Sequence, residues 1–419
     1  MQSKEVLSCS EERQSCPECH KYFWAVARTV RAFQMVKYYT LEVNTDRDLR
    51  RFIKLPWGIY EKYPKWIPPL INEMKHKLNP RKNPFFEYGQ VKLFGACNES
   101  HEMMGRIAAI FNPVHRYIYR ESIGFFGLFE CINSVDVARG LFTTANEYLS
   151  KFGCTHLAGP VNFNTNDESG LLIEGYDESP MLMCNYSPPY YAQLLSACGF
   201  SKVMDLLSYE ARLGHIFPQK YLDVFKKVSN KNEINVRPFD RKRFWQEITT
   251  IREIYNGSFA DVWGFVPISS SEAEVMGKNF ISFSDDNLVW IAEFKNRPAG
   301  LILALPDVNE ILKDLNGRLF PFGIFKFLSR RRHIGSVRVI VLCVLPMFRS
   351  MGIETLLIHK VHQRIISGGY QRAECSVINE NNIRMRKILE AFGFRLVKRY
   401  RIYQAPISKY NSTVTDGTI

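Results

Sequence analysis

The sequence predicts an α/β chain of two tandem domains, each built on a mixed α+β sheet. Three observations carry that expectation. The first is an internal repeat. Gln193 to Phe200 ends a helix at Gly199-Phe200, and Tyr209 follows in a strand-like run; Lys387 to Phe394 does the same at Gly393-Phe394, and Tyr403 follows. The three pairs match at one offset. Glycine suits a left-handed helix stop, and the phenylalanine after it opens the next buried strand. The second is order: strand–helix–strand–helix–strand occurs twice, as tandem α/β units require. The third is size and composition. With 419 residues, 46% hydrophobic and 23% charged, the chain is too apolar to stay unfolded. At roughly 100–200 residues per domain it holds two or three, each able to bury a core without disulfides.

Each element has its own reason. Val36 to Val43 is strand-like. Asp46 to Tyr60 reads as a helix, with Asp46 as its cap and Leu49, Phe52, Ile53 and Ile59 on one face. Val91 to Ala96 and Gly105 to Phe111 read as strands. The amphipathic run Val135 to Lys151 stops at Gly153 and feeds the strand Thr155 to Ala158. His215 to Asn235 is polar without a strong period, which places the linker there. Phe244 to Tyr255 opens the second half as a helix. Strands at Leu288 to Phe294, Ala299 to Leu305 and Val337 to Leu345 follow, then the helix Ile353 to Ser367 and the strand Gln371 to Val377. The expected boundaries are an extension (1–34), an N-terminal domain (35–215), a linker (216–235), a C-terminal domain (236–408) and a tail (409–419).

The extension carries Cys16-Pro17-Glu18-Cys19-His20, the spacing of haem attachment or of half a zinc site, with Cys9 as an extra thiolate. Haem attachment calls for export, and no export signal is read here; zinc calls for four ligands, and no second pair follows. The segment is therefore expected to be poorly ordered, no metal is expected, and Met35 is an alternative start of the folded chain. The scattered cysteines fit a reducing cytoplasm.

Lys and Arg number 55 against 42 Asp and Glu, a formal charge of +13, which favours anionic partners. The excess lies mainly in the C-terminal third: Leu315 to Ile353 has no Asp or Glu. Within it, 317–332 sets Leu319, Phe320, Phe322, Phe325 and Leu328 beside Lys326 and Arg330-Arg331-Arg332. That combination suits peripheral contact with an anionic membrane, at its inner face for a cytoplasmic protein. No apolar run reaches the ~20 residues of a membrane-spanning helix.

The chemistry is expected between Val337 and Gln404. A buried strand ends at Pro346, then Phe348-Arg349-Ser350-Met351-Gly352-Ile353-Glu354 turns into a helix. Backbone N–H groups and the helix dipole make such a turn an anion site that a pyrophosphate would fit. Glu374 and Ser376 alternate with Ala373, Cys375 and Val377, so they share a strand face, and Glu380 follows at the strand's end. Cys343 has the apolar neighbours of an inert core thiol. Asn164, Asn166, Asp167 and Glu168 crowd one loop, with no single role to assign.

These residues resemble the GNAT acyltransferase superfamily. Its first motif is a strand, Arg/Gln-x-x-Gly-x-Gly/Ala, then a helix; Arg349 and Gly352 match, and Glu354 stands where Gly or Ala is usual. Its second motif continues with a strand, an Asn and a helix ending in Gly-Phe; Gln371 to Val377, Asn382 and Gly393-Phe394 match. Leu389 replaces a frequent tyrosine that protonates the departing thiolate. The first half has no such turn, since Phe129-Glu130-Cys131-Ile132-Asn133 occupies its place. Gly105 to Ile110, Gly124 to Gly127, Gly159 to Asn162, Thr165 to Leu172, Trp263 to Pro267 and Asn316 to Gly323 are similar to a bacterial subfamily of tandem GNAT proteins.

The resemblance implies two tandem GNAT-like domains and an N-acyltransferase using acyl-CoA, or an acyl carrier protein, as co-substrate. The acceptor would be an amine, including long-chain and sphingoid types. Cofactor contacts are then expected at Leu345, Arg349, Ser350, Met351, Gly352, Ile353 and Asn382, and catalysis at Glu374, Ser376 and Glu380. Two other readings remain open at this level. Glu354 and Leu389 suit a non-catalytic acyl-CoA or lipid-binding protein. Paired GNAT-like domains and positive charge also occur in aminoacyl-tRNA dependent transferases, for which salt-sensitive tRNA binding is the mark.

Overall fold

The computed structural model describes residues 37–212, 218–229, 233–281 and 285–407. The Cys16–His20 motif, the rest of the extension 1–34 and the tail 409–419 lie outside the described residues. The first half contributes β1 (Tyr39–Glu42), α1 (Asp46–Ile59), α2 (Ile71–Lys77), β2 (Gln90–Cys97), β3 (Met103–Phe111), α3 (Pro113–Tyr119) and β4 (Ile123–Cys131). It continues with α4 (Val135–Ser150), β5 (His156–Gly159), β6 (Leu171–Glu174), α5 (Tyr191–Ala197) and β7 (Ser201–Arg212). The second half holds α6 (Gln219–Ser229), β8 (Ile234–Pro238), α7 (Phe244–Phe259), α8 (Ser270–Ile281), β9 (Val289–Phe294) and β10 (Arg297–Pro306). After these come α9 (Asn309–Leu312), α10 (Gly323–Arg330), β11 (Ser336–Val344), α11 (Ile353–Ser367), β12 (Arg372–Asn379), α12 (Ile383–Ala391) and β13 (Arg395–Pro406).

Local chemistry sets the helix ends. The α1 cap is Thr45, one residue before the expected Asp46: its hydroxyl accepts from the Asp48 amide at 3.1 Å. Asp46 and Asp48 instead fall in the first turn, where the helix dipole favours negative charge. Ser134 caps α4, which buries Val137, Ala138, Leu141, Phe142, Ala145 and Leu149 along one stripe. Fully burying a Leu or Phe there contributes about 1.5–3 kcal/mol. Gly199 and Gly393, with φ of 83° and 78°, stop their helices in the left-handed conformation the repeat implies.

Within the expected linker 216–235, the described residues form α6 and the start of β8. The helix is amphipathic: Val228 is buried, Phe225 stacks on His359 with ring centres 3.8 Å apart, and the Tyr221 hydroxyl donates to the Thr355 carbonyl at 2.5 Å. A short stripe packed on α11 therefore makes the helix, despite the polar composition around it.

The strands form one sheet in the order β1-β2-β3-β4-β5-β13-β7-β12-β11-β10-β9-β8, with β6 paired to β13. Its centre is an exchange. β13, from the end of the chain, lies between β5 and β7; β7, from the first half, lies between β13 and β12. Each half thus completes its sheet with the other half's last strand, and the described chain from Tyr38 onward is one compact unit. Apolar layers cover both faces: α4 and α5 on one side of the first half and α1 on the other, α11 and α7 likewise in the second. No helix among the described residues is long and apolar enough to cross a membrane.

Candidate active site

The site lies where β11 and β12 part. They pair in parallel from Ser336 opposite Arg372 to Val339 opposite Cys375. β11 then bulges against Leu303 and Ala304 of β10, leaving Ile340 out of register, while β12, paired with β7 from Arg372 onward, shifts register between Cys375 and Ile378. A bulge leaves its extra residue unpaired and bends the strand. A cavity of about 680 Å³ fills the gap. Ile358, Val361 and Ile365 of α11 and Met385, Ile388 and Leu389 of α12 line one end; Thr165, Asn166, Asp167, Tyr255 and Trp263 line the other.

The first half repeats the topology but not the opening. β4 and β5 pair in parallel from Ile123 opposite His156 to Phe125 opposite Ala158. There the chain leaving β5 closes the gap. The Val161 amide donates to the Phe126 carbonyl at 2.8 Å, and the Asn162 side chain accepts from the Leu128 amide at 2.9 Å. Even a Cβ on Gly127 would lie 2.3 Å from the Val161 carbonyl.

That same segment then crosses to the second half. Asn164 donates to Glu272 at 3.2 Å, Thr165 to the Gly264 carbonyl at 2.8 Å, and Asn166 to the Val266 carbonyl at 2.8 Å. The Tyr255 hydroxyl donates to Asn166 at 2.9 Å. Glu272 is held by a reciprocal cap at the start of α8: its carboxylate accepts from the Ser269 amide, whose hydroxyl accepts from the Glu272 amide. The loop is thus pinned against α7 and α8, and Asp167 at its tip lines the cavity.

Asp167 stands among charges. Lys77 of α2 lies 4.0 Å from its carboxylate but 2.5 Å from that of Glu168. Burial raises Asp167 most; Glu168 and Glu272 add to this, Lys77 opposes it, and the group titrates at about 7. Burial is the largest influence on the Glu168 carboxylate and works against it, but Lys77 together with the Asn162 and backbone hydrogen bonds holds Glu168 below its usual value. The side-chain surface of Asp167 that remains accessible is 31%. A carboxyl poised near neutrality at the wall of a cavity suits proton transfer. Asp307 is also raised to about 7 by burial, but it accepts from the Leu182 and Asn309 amides and lines neither cavity described here.

The residues expected from sequence are spread over four places. Ser376 and Asn382 line the cavity. Ser376 accepts from Arg338 Nε at 3.0 Å, and Asn382 also caps α12 by accepting from the Met385 amide at 3.1 Å. Glu374 shares the Ser376 face but is sealed: it pairs with Lys398 at 2.9 Å, both side chains fully buried. Glu380 accepts from the Asp205 amide at 2.9 Å and from Lys202 at 2.8 Å. Burial opposes its ionisation, yet these bonds hold its carboxyl below the usual range. The turn residues Leu345, Arg349, Ser350, Met351, Gly352 and Ile353 lead into α11 and lie outside both described cavities. Gly352 takes the left-handed conformation at the helix start. Arg349 spends its guanidinium on carbonyls, those of Ser258 at 3.0 Å and Val344 at 3.3 Å. Glu354, at the position where Gly or Ala is usual, pairs with Arg384 at 2.5 Å. Sequence reading assigned nothing to Asp167 or Tyr255. The polar crowd at 164–168 was visible, but not which half's cavity it reaches.

Among the described residues, no three His, Cys, Asp or Glu side chains gather as a metal site. No family model matches the chain. The architecture is that of tandem GNAT proteins: a tandem GNAT protein from the clavulanic acid biosynthesis pathway, solved without acetyl-CoA, superposes with a TM-score of 0.53 at 12% identity, covering 89% of this chain and 98% of that one. Two relatives are much nearer in sequence. Protein YghO of Escherichia coli K12 is 34% identical over 368 residues, 86% of this chain and 93% of its own. The bacterial ceramide synthase of Caulobacter vibrioides is 33% identical over 371 residues, 87% of this chain and 96% of its own. The chain belongs to the tandem GNAT-fold family of these two proteins.

Proposed function

We propose that the protein is an N-acyltransferase that moves an acyl group from a thioester, of CoA or of an acyl carrier protein, to a long-chain amine. The observation that carries this reading is the cavity running through the β11–β12 gap with Asp167 at its wall. The family relation supports the product class, since one relative is named a ceramide synthase and ceramides are N-acylated amines. The donor's carrier arm would run between α11 and α12, with its anionic end at the turn from Ser350 to Ile353, since the first N–H groups of a helix have no partner within it. Unpaired backbone at the Ile340 bulge would hold the thioester carbonyl, and a fixed donor there would favour the charge that develops on its oxygen. Asp167 takes a proton from the acceptor ammonium. The amine nitrogen then bonds to the carbonyl carbon, the C–S bond breaks, and the second proton of the nitrogen goes to the departing sulfur through water, so the donor leaves as its thiol.

The surface 317–332 supports action at an anionic membrane, on the cytoplasmic face. Phe320, Phe322 and Phe325 are 64%, 81% and 70% exposed, on and beside α10, and Arg330, Arg331 and Arg332 adjoin them. Sedimentation with phosphatidylserine vesicles should fall several-fold for Phe322→Ser/Phe325→Ser, and phosphatidylcholine vesicles should bind neither form. Equal binding of both forms would remove the membrane from this reading.

The test of activity is thiol release and amide mass with acetyl-CoA, palmitoyl-CoA and palmitoyl carrier protein, each against a series of amines. Amine-dependent thiol release is the expected result. Palmitoyl-CoA binding without amide formation would leave a lipid-binding protein, and salt-sensitive tRNA binding without any thioester binding would leave a tRNA-dependent one.

A further inference from the structure

A second cavity, of about 120 Å³, lies under α7 and α8. One water needs about 10–15 Å³ by the same measure, so the space is large for a packing defect. Its floor is the β10 face carrying Leu301, Leu303 and Leu305, which alternate inward over about 13 Å of strand. Ile248, Ala273 and Met276 are among the side chains facing that floor. Five residues line both cavities: Asn166, Met183, Tyr255, Ile340 and Val341. The two spaces therefore adjoin at the bulge. The polar groups of the smaller one are the shared Asn166 and Tyr255, plus Arg252; every other lining residue is apolar.

We infer that this chamber takes the hydrocarbon tail of the acyl donor and that its limited volume sets the acyl length the protein accepts. The inference rests on the proposed function. It follows from the different needs of the two substrates. An acyl tail beyond its thioester has no polar group and gains by entering a dry, apolar space. An amine acceptor has a polar head and needs donors, acceptors and a base. Those lie in the larger cavity, where Thr165, Asn166, Asp167, Ser169 and Asp261 gather. With the thioester at Ile340, a tail continuing past the bulge meets Val341 and then the leucine floor. Burial of each methylene deepens affinity about fourfold.

The test uses Ala273→Leu, which fills the chamber, and Met276→Ala, which enlarges it. In the full-length protein, binding of octanoyl-, dodecanoyl- and palmitoyl-CoA is measured by calorimetry, and kcat/KM is measured across the same donors and across a series of amines. Ala273→Leu should weaken palmitoyl-CoA at least tenfold relative to octanoyl-CoA, with the amine profile unchanged. Met276→Ala should shift the donor optimum to longer chains. A changed amine profile with an unchanged donor profile would give the chamber to the acceptor and overturn the inference; so would two unchanged profiles. The calorimetry separates this from the reading it rests on. An altered donor-binding profile in a protein that forms no amide keeps the chamber and removes the transferase. Amide formation with donor profiles indifferent to both variants does the reverse.

Discussion

Asp167 and Glu374 are both carboxylates set among charges, and their surroundings give them opposite roles. Glu374 meets Lys398 with no access to the cavity, so it is a structural ion pair. Removing one partner leaves a buried charge uncompensated. Glu374→Gln is expected to cost about 3–5 kcal/mol in denaturant unfolding, and the double change Glu374→Leu/Lys398→Met much less than the sum of its parts. Asp167 lines the cavity and titrates at about 7. As the proposed base it must be ionised, so kcat/KM should rise with pH through about 7. Asp167→Asn should lower it by about 10²–10⁴ and abolish that limb. Lys77, Glu168, Glu272 and Tyr255 all face the group, so Lys77→Met should move the limb upward. The raised value also has a stability consequence. Between about 4 and 7 the folded chain holds a proton that the unfolded chain has released, so stability falls as pH rises across that window. Asp167→Asn should flatten that part of a pH–stability curve.

At the scale of elements, the turn into α11 depends on a helix that composition disguised. Val228 of α6 sits where a Gly352 side chain would be: a Cβ there would lie 2.5 Å from Val228 Cγ2, at a φ of +82°. Gly352→Ala is therefore expected to destabilise by more than about 1 kcal/mol and to weaken donor binding with it, read by thermal unfolding and calorimetry. Arg349 belongs to the same joint. By bonding the Ser258 carbonyl it ties the end of α7 to the end of β11. Its loss should then disturb the positions of α7 and Tyr255 as well as any phosphate contact.

The whole molecule is organised by the strand exchange at its centre. β13 contributes to β5, β6 and β7, and β12 pairs with β7. Residues 38–212 expressed alone lack β13, which would leave β5 and β7 with bare edges. They should fail to show a cooperative unfolding transition, whereas co-expression with 218–407 should restore one. The full chain should unfold in a single transition. Two separable transitions would mean that the exchange does not couple the halves. The exchange also explains the division of labour at the site: the first half's own gap is closed by Val161 and Asn162, and the chain that closes it goes on to deliver Asp167 to the second half's open one.

The sequence determined what depends on neighbours along the chain. Periodicity placed α4, α11, β3 and the strands β9 to β12 close to their observed limits, because a buried stripe or an alternating face is written within one segment. The glycine stops at Gly199 and Gly393 revealed the repeat, since only local backbone conformation is needed to read them. The glycine turn into α11 at Gly352 was legible for the same reason. The tertiary structure decided whatever depends on which segments meet. It sealed Glu374 against Lys398, turned Arg349 onto carbonyls, drew Glu354 to Arg384, made a helix of a polar stretch by packing it on α11, and carried Asp167 across the exchanged sheet into a cavity far along the chain. A side chain's reactivity follows from burial and from the charges around it, and both are set by partners distant in sequence.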